Sequence, residues 1–346
     1  MTKKKNLEKS MLSLLTLLPF IVSSTSTPRF VSYIDKIEGW WPDSDVLKAW
    51  GVPGYTPSYS YNVLNLAFLQ SSVQPTDALD PWVDPTKFFS AATMQNITGN
   101  SSPTDDQFRT ALKKLYQAAG VTVIVSCFGA GDYPTKTKDP VALGKSIADF
   151  VKQYQFDGVD IDWEDSAAFQ SGDGSGEYWL SNLTTSMRSE LGASYLITHA
   201  PQAPYFMGTA TYKAGAYLYV QQQVGKDIDW YNLQYYNQGG SAYTTYQTLF
   251  VESDGWSTNT AVFQMMDGTN DLGVKIPGDM IVVGKPVTQG DADNTGYVEA
   301  KNLEAIFKQA LANKTENWNA GFMDWQFSSD LDEGFAYANT VAGAWK

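Results

Sequence analysis

The sequence predicts an α/β protein, a single (β/α)8 or TIM barrel. Strand-like and helix-like segments alternate eight times over roughly 310 residues. The strand-like segments are short apolar runs of the kind found in strands buried on both faces. No Gly-rich phosphate-binding turn follows an early strand, which argues against an open doubly wound sheet, and no linker or repeat divides the chain.

Residues 1–26 precede the barrel and read as a secretory signal peptide. Lys3, Lys4, Lys5 and Lys9 form a basic head. Met11 to Val22 is apolar but short for a bilayer span, and small residues follow it. Cleavage is expected near Ser24 to Ser26. That leaves residues 27–346 as the barrel and predicts an extracellular protein with no membrane anchor.

Phe30 to Ile34 reads as the first strand and Asp45 to Trp50 as a short helix. Asn62 to Leu69 is the second strand, nearly continuous in apolar residues. Thr104 and Gln107 have capping-box spacing; Phe108, Leu112, Leu115 and Ala119 make the helix's inner face, and Gly120 ends it. Val121 to Ser126 is the third strand. Asp139-Pro140 opens a helix with the stripe Leu143, Ile147, Phe150, Val151 and Tyr154. Gly158 to Trp163 is the fourth strand. A Gly-rich loop leads to a helix near Glu177 to Leu191, then a strand at Tyr195 to His199. A helix near Lys213 to Val224, a strand at Ile228 to Tyr236 and a helix at Tyr243 to Phe250 follow. Met280 to Gly284, a helix at Val298 to Leu311, Gly321 to Gln326 and a closing helix at Leu331 to Ala344 complete the set.

The formal charge of −13 argues against nucleic acid or an anionic membrane as partner. A neutral or cationic polymer fits it. Aromatic residues are 14% of the chain, enough to supply sugar-stacking faces as well as core. Cys127 is the only cysteine, so no internal disulfide is possible, and its apolar neighbours predict an inert buried thiol. His199, the only histidine, has no metal-like neighbours in sequence and reads as structural. No motif calls for a metal or cofactor. Asn96, Asn100, Asn182 and Asn313 are N-glycosylation sequons.

The chemistry concentrates in Phe156-Asp157-Gly158-Val159-Asp160-Ile161-Asp162-Trp163-Glu164. On a strand, Asp160, Asp162 and Glu164 share one face, about 6–7 Å apart. Three like charges this close resist joint ionisation, so one carboxyl is expected to hold a proton, with Glu164 the natural candidate. Asp-x-Asp also suits a calcium loop or a solvated turn, but such loops need a curved backbone and this stretch alternates cleanly. Glu164 falls at the strand's C-terminal end, where barrels place reacting groups. A protonated acid beside an ionised one is the apparatus for breaking a glycosidic bond.

Asp157 to Glu164 resembles the DGxDxDxE signature of family 18 glycoside hydrolases, which comprise chitinases and some endo-β-N-acetylglucosaminidases on a TIM barrel. The resemblance covers most of residues 27–346. Asn65-Leu66-Ala67-Phe68 is similar to the second-strand pattern, and Ala200-Pro201-Gln202-Ala203-Pro204 and Gln234-Tyr235-Tyr236-Asn237 resemble segments of class III, hevamine-like chitinases. Gly296-Tyr297-Val298 and Trp325 also match. One departure stands out: the third-strand SxGG motif is Ser126-Cys127-Phe128-Gly129.

The resemblance implies a chitinase that binds chitin or N-acetylglucosamine oligosaccharides; with the leader it is expected to be secreted, and it is expected to be an endo-acting monomer. It implies Glu164 as general acid and base, and attack by the substrate's own 2-acetamido carbonyl. It implies Asp162 on the acetamido N–H, Asp160 beneath it and Tyr236 on the carbonyl. Trp325, Gln234, Asn237 and Gln202 would contact sugar. Larger family members insert an α+β subdomain after strand seven. The connection of about thirty-five residues here leaves no room for one, so an open groove is expected. Trp40, Trp41 and Trp82 are candidate stacking platforms on its loops. The alternatives are an endo-β-N-acetylglucosaminidase acting on N-glycan cores and a non-catalytic chitin-binding lectin.

Overall fold

The computed structural model describes residues 28–37, 41–76, 78–293 and 295–346. The expected leader and Trp40 lie outside the described residues. The strands are β1 (Arg29–Ile34), β2 (Val63–Leu69), β3 (Thr122–Phe128), β4 (Gly158–Asp162), β5 (Leu196–His199), β6 (Trp230–Gln234), β7 (Ile281–Pro286) and β8 (Gly321–Trp325). Each pairs in parallel with the next, and β8 pairs with β1 to close the barrel. Among the described residues no helix is long and apolar enough to cross a membrane.

Local chemistry explains the helices outside the barrel. Thr104 Oγ1 accepts from Gln107 N, and Gln107 Oε1 accepts from Thr104 N, which closes a capping box on helix Asp105–Ala118. Asp139 accepts from Ala142 N at 2.8 Å and Pro140 opens helix Pro140–Gln153. Helix Ala216–Val224 begins three residues later than expected, because buried Glu177 reaches its first turn and accepts from Ala216 N at 2.9 Å. Of the sequon asparagines, Asn96 and Asn182 are exposed and Asn100 and Asn313 half-buried.

Three expectations are corrected. The helix at Tyr243 to Phe250 is only a π-helical turn, Gln247–Val251. Tyr243 is instead drawn into the core, where its hydroxyl meets Thr260 Oγ1 at 2.5 Å. The closing helix is broken into Phe327–Asp332, Ala336–Val341 and a 3-10 turn, with Gly334 and Phe335 left-handed at φ 66 and 64° between the first two. Trp82 is not a stacking platform. It is fully buried, edge-on to Trp50 at 5.5 Å and stacked on Phe156 at 5.3 Å, and its indole N–H donates to the Tyr154 carbonyl. Trp41 is half-buried against the same core. Three short helices that the periodicity did not show, Asp80–Val83, Pro85–Phe88 and Ala91–Thr98, pad the connection from β2 to β3.

Candidate active site

β4 gathers the acids. Asp160 and Asp162 point into the lumen, while Val159 and Ile161 are fully buried in the outer apolar layer. Gly158 lets β5 approach: a β-carbon there would lie 2.3 Å from the Leu196 carbonyl oxygen.

Asp160 is the deepest acid, with no exposed surface. Tyr33 Oη and Ser126 Oγ donate to one of its oxygens at 2.9 and 2.8 Å, and Thr198 Oγ1 and Asn232 Nδ2 to the other at 2.6 and 3.1 Å. Burial raises its pKa above the ordinary carboxylate range, and the four donors moderate the rise. Asp162, one pleat higher, is 6% exposed and accepts from Gln234 Nε2 at 3.0 Å. Burial first, then the charges of Glu164 and Asp160, push its pKa well above the usual range. Burial and the two neighbouring acids thus favour the neutral form of Asp162. That burial is absent from the spacing of the acids.

Glu164 stands two residues beyond the end of β4 and is half-buried. Gln202 Nε2 donates to Oε2 at 2.8 Å and Gln234 Nε2 to Oε1 at 3.4 Å. Gln202 reaches this position because the chain after β5 pairs with β6, where Gln234 N donates to the Pro201 carbonyl at 2.9 Å. A cavity of about 400 Å³ adjoins Glu164, lined also by Tyr133, Lys136, Asp165, Ser166 and Ala167.

Tyr236 is buried just past β6. Burial, then the charges of Asp162 and Glu164, hold its hydroxyl well above the usual tyrosine range, so it stays a neutral donor. Gly296 packs against its backbone: a β-carbon there would sit 2.4 Å from Tyr236 Cα. Trp325 ends β8, half-buried, stacked on Phe68 at 6.2 Å and tilted against Tyr33 at 5.9 Å. The Ala67–Phe68 and Trp325–Gln326 peptide bonds are both cis.

The sequence profile of glycosyl hydrolases family 18 matches residues 29–344. The chain belongs to family 18. A chitinase of Enterococcus faecalis is 30% identical over 252 residues, covering 69% of each chain. Endochitinase 4 of Metarhizium robertsii is 28% identical over 252 residues, covering 66% of this chain and 67% of its own. The crystal structure of a family 18 chitinase from Pseudoalteromonas aurantia superposes with a TM-score of 0.62 at 28% identity, covering 91% of this chain and 99% of its own.

In this family 18 barrel, Asp160, Asp162, Glu164, Gln202, Gln234, Tyr236 and Trp325 converge at the C-terminal mouth. The amide nitrogens of Gln202 and Gln234 are engaged by carboxylates. Asn237 is exposed at φ 65°, its N–H donates to the Thr295 carbonyl and its side-chain oxygen accepts from Asp293 N. Phe128, which departs from the family 18 motif, takes φ 79° and packs its buried ring edge-on to Trp179 at 6.0 Å. His199 is buried between Thr184 Oγ1 and Tyr217 Oη, and burial lowers its pKa to about 3. Cys127 is buried, its thiol pKa pushed well up.

Sequence reasoning missed the four residues that hold Asp160. Their signal was present: Tyr33, Ser126, Thr198 and Asn232 are polar positions inside mostly apolar strand runs. It is a faint signal, because each residue is ordinary until the barrel closes.

Proposed function

We propose that the protein is a chitinase that hydrolyses β-1,4 bonds between N-acetylglucosamine units with retention, through substrate assistance. The state of the two lumen acids carries this reading. Asp160 has both oxygens engaged and no exposure, and Asp162 is 6% exposed with its pKa raised by burial and by Glu164 and Asp160, which favours its neutral form. Neither is placed or charged to attack an anomeric carbon, whereas Glu164 adjoins a cleft. The nucleophile that remains is the carbonyl oxygen of the substrate's 2-acetamido group.

Substrate entry passes the Asp162 proton to Glu164, which leaves Asp162 ionised toward the acetamido N–H. Glu164 gives that proton to the glycosidic oxygen as the bond from C1 breaks. The acetamido oxygen bonds C1, forming an oxazolinium ion balanced by Asp162. Tyr236 donates to the acetamido group and holds it for attack, and Trp325 floors the sugar ring. Water then adds to C1 as the bond from C1 to the acetamido oxygen breaks, Glu164 takes the water's proton, the acetamido group is restored and the configuration is retained.

The relatives that bear the name chitinase support the substrate class. Between β7 and β8 the described residues form one helix, Ala300–Ala312, and a 3-10 turn, with no added subdomain among them. A barrel without such a subdomain presents an open groove, and an open groove favours cleavage within a polymer. The basic and apolar leader favours secretion.

Chitotetraose is the test, with masses and anomeric protons followed through the first turnovers. Shorter oligomers released as the β-anomer are expected. First release as the α-anomer would overturn retention. Cleavage of a chitobiose-core glycoprotein alone would move the substrate to N-glycans, and cleavage of neither would leave a sugar-binding barrel.

A further inference from the structure

Lys285 is fully buried on β7. Its register partner on β8 is Asp324, yet the two side chains part: Asp324 bonds Ser32 and Tyr61 toward β1. The ammonium turns toward β6 instead, where Nζ donates to the carbonyls of Tyr235 and Tyr243 at 2.7 Å each. Burial without a carboxylate lowers its pKa to about 7. A methionine would fill such a place with no desolvation cost, so the contacts made here call for an explanation.

The carbonyl of Tyr235 belongs to the same peptide plane as the nitrogen of Tyr236. Turning that plane turns φ of Tyr236 and the direction of its ring. The opposite side of Tyr236 is already fixed, by the close approach of Gly296 and by the bond from Asn237 N to Thr295 O at 2.7 Å. The other carbonyl held by Lys285, that of Tyr243, closes the loop that leaves Tyr236. Tyr235 and Tyr243 stack edge-to-face at 4.8 Å, and both hydroxyls end on Thr260. Lys285 thus ties the start and the return of one loop to the barrel wall.

We propose that Lys285 is a positioning residue for the reaction, fixing the peptide plane that aims the Tyr236 hydroxyl at the substrate's acetamido group. The proposal rests on the reading of Tyr236 given above. It acts on the reacting complex more than on the resting one, so it should appear in kcat and leave KM nearly unchanged.

A double-mutant cycle tests it. Tyr236→Phe, Lys285→Met and the double variant are compared with the parent on chitotetraose, and circular dichroism melts check the fold. Lys285→Gln, which keeps two N–H donors on a shorter stem, serves as a second variant should the methionine protein not fold. Lys285→Met is expected to lower kcat at least tenfold with KM within twofold. In the Tyr236→Phe background the same change should move kcat less than twofold. A folded Lys285 variant with parental kcat would overturn the proposal. So would a loss equally large in both backgrounds, because Lys285 would then act independently of Tyr236. Tyr236→Phe with parental kcat is a different result: it removes the reading of Tyr236 and the proposal with it.

Discussion

Two sets of buried carboxyls sit on opposite faces of the barrel wall. On the lumen side, Asp160, Asp162 and Glu164 rise along and beyond β4. On the outer side, Asp324 of β8 and Asp330 of the helix after it both contact the hydroxyl of Tyr61, Asp330 at 2.6 Å. Tyr61 has one proton to donate, so one carboxyl must return one. Asp324 does so, since burial and then the charge of Asp330 hold its pKa well above the ordinary range. Asp330 also accepts from Tyr337 N and Ala338 N, at 2.9 and 3.2 Å. This outer set is closed. Its acceptors are occupied, and it fastens the C-terminal helices to the barrel. The lumen set is buried and raised in pKa at Asp160 and Asp162 but ends on half-buried Glu164 beside a cavity. Burial and a raised pKa do not distinguish chemistry from architecture; a carboxyl that adjoins open space does.

The comparison breaks first at Glu164. Glu164→Gln is expected to lower kcat about 10³-fold, in the range for loss of a general acid, with an unchanged melting temperature. Retained activity in chitotetraose assays would erase the distinction. The same substitution at the two proton-holding acids sharpens it. Asp162→Asn should cost on the order of 10²-fold in kcat while the protein stays folded, because an amide cannot balance the oxazolinium charge. Asp330→Ala should behave in the opposite way. Urea unfolding is expected to show a loss of about 3 kcal/mol, with kcat per folded molecule unchanged.

Asp324→Asn gives the smallest effect. An amide replaces a carboxyl that is already neutral, so less than about 1 kcal/mol should be lost at pH 5. The pH dependence has a definite sign. A carboxyl whose folded pKa is raised stabilises the fold below its unfolded value, and that stability is lost as pH rises through the folded pKa. Unfolding measured from pH 4 upward should therefore show the variant gaining on the parent as pH rises. A gap that widens in the other direction would mean that Asp324 is ionised.

The barrel was legible because strand and helix periods differ, and because Thr104, Asp139 and Pro140 mark their helices by chemistry local to a few residues. The acid row was legible for the same reason: its period of two survives in the sequence unchanged. What could not be read depended on closure. Tyr33 and Asn232 lie far apart in the chain, yet Asn232 Nδ2 donates to Tyr33 Oη and both bond Asp160 once the barrel closes. The raised pKa of Asp162 depends on depth. Trp82 follows an acidic, proline-containing stretch that resembles an exposed loop, yet it is enclosed by Trp50 and Phe156. Tyr243 to Phe250 holds three Thr, two Tyr and a Phe, which are weak helix formers, and the core's hold on Tyr243 leaves only one π-helical turn.

Gly296 has a consequence for how this chain can be varied. Its approach to Tyr236 joins the loop after β7 to the segment after β6, so two stretches remote in sequence constrain each other at one atom. A mutational library over residues 288–299 would therefore divide sharply. Exchanges at the exposed positions on either side of the glycine would be tolerated and could retune the groove. At position 296 even alanine would displace the Tyr236 backbone, leaving a well-folded barrel that inherits an altered loop and an idle tyrosine. The site is thus evolvable around a point that is itself invariable.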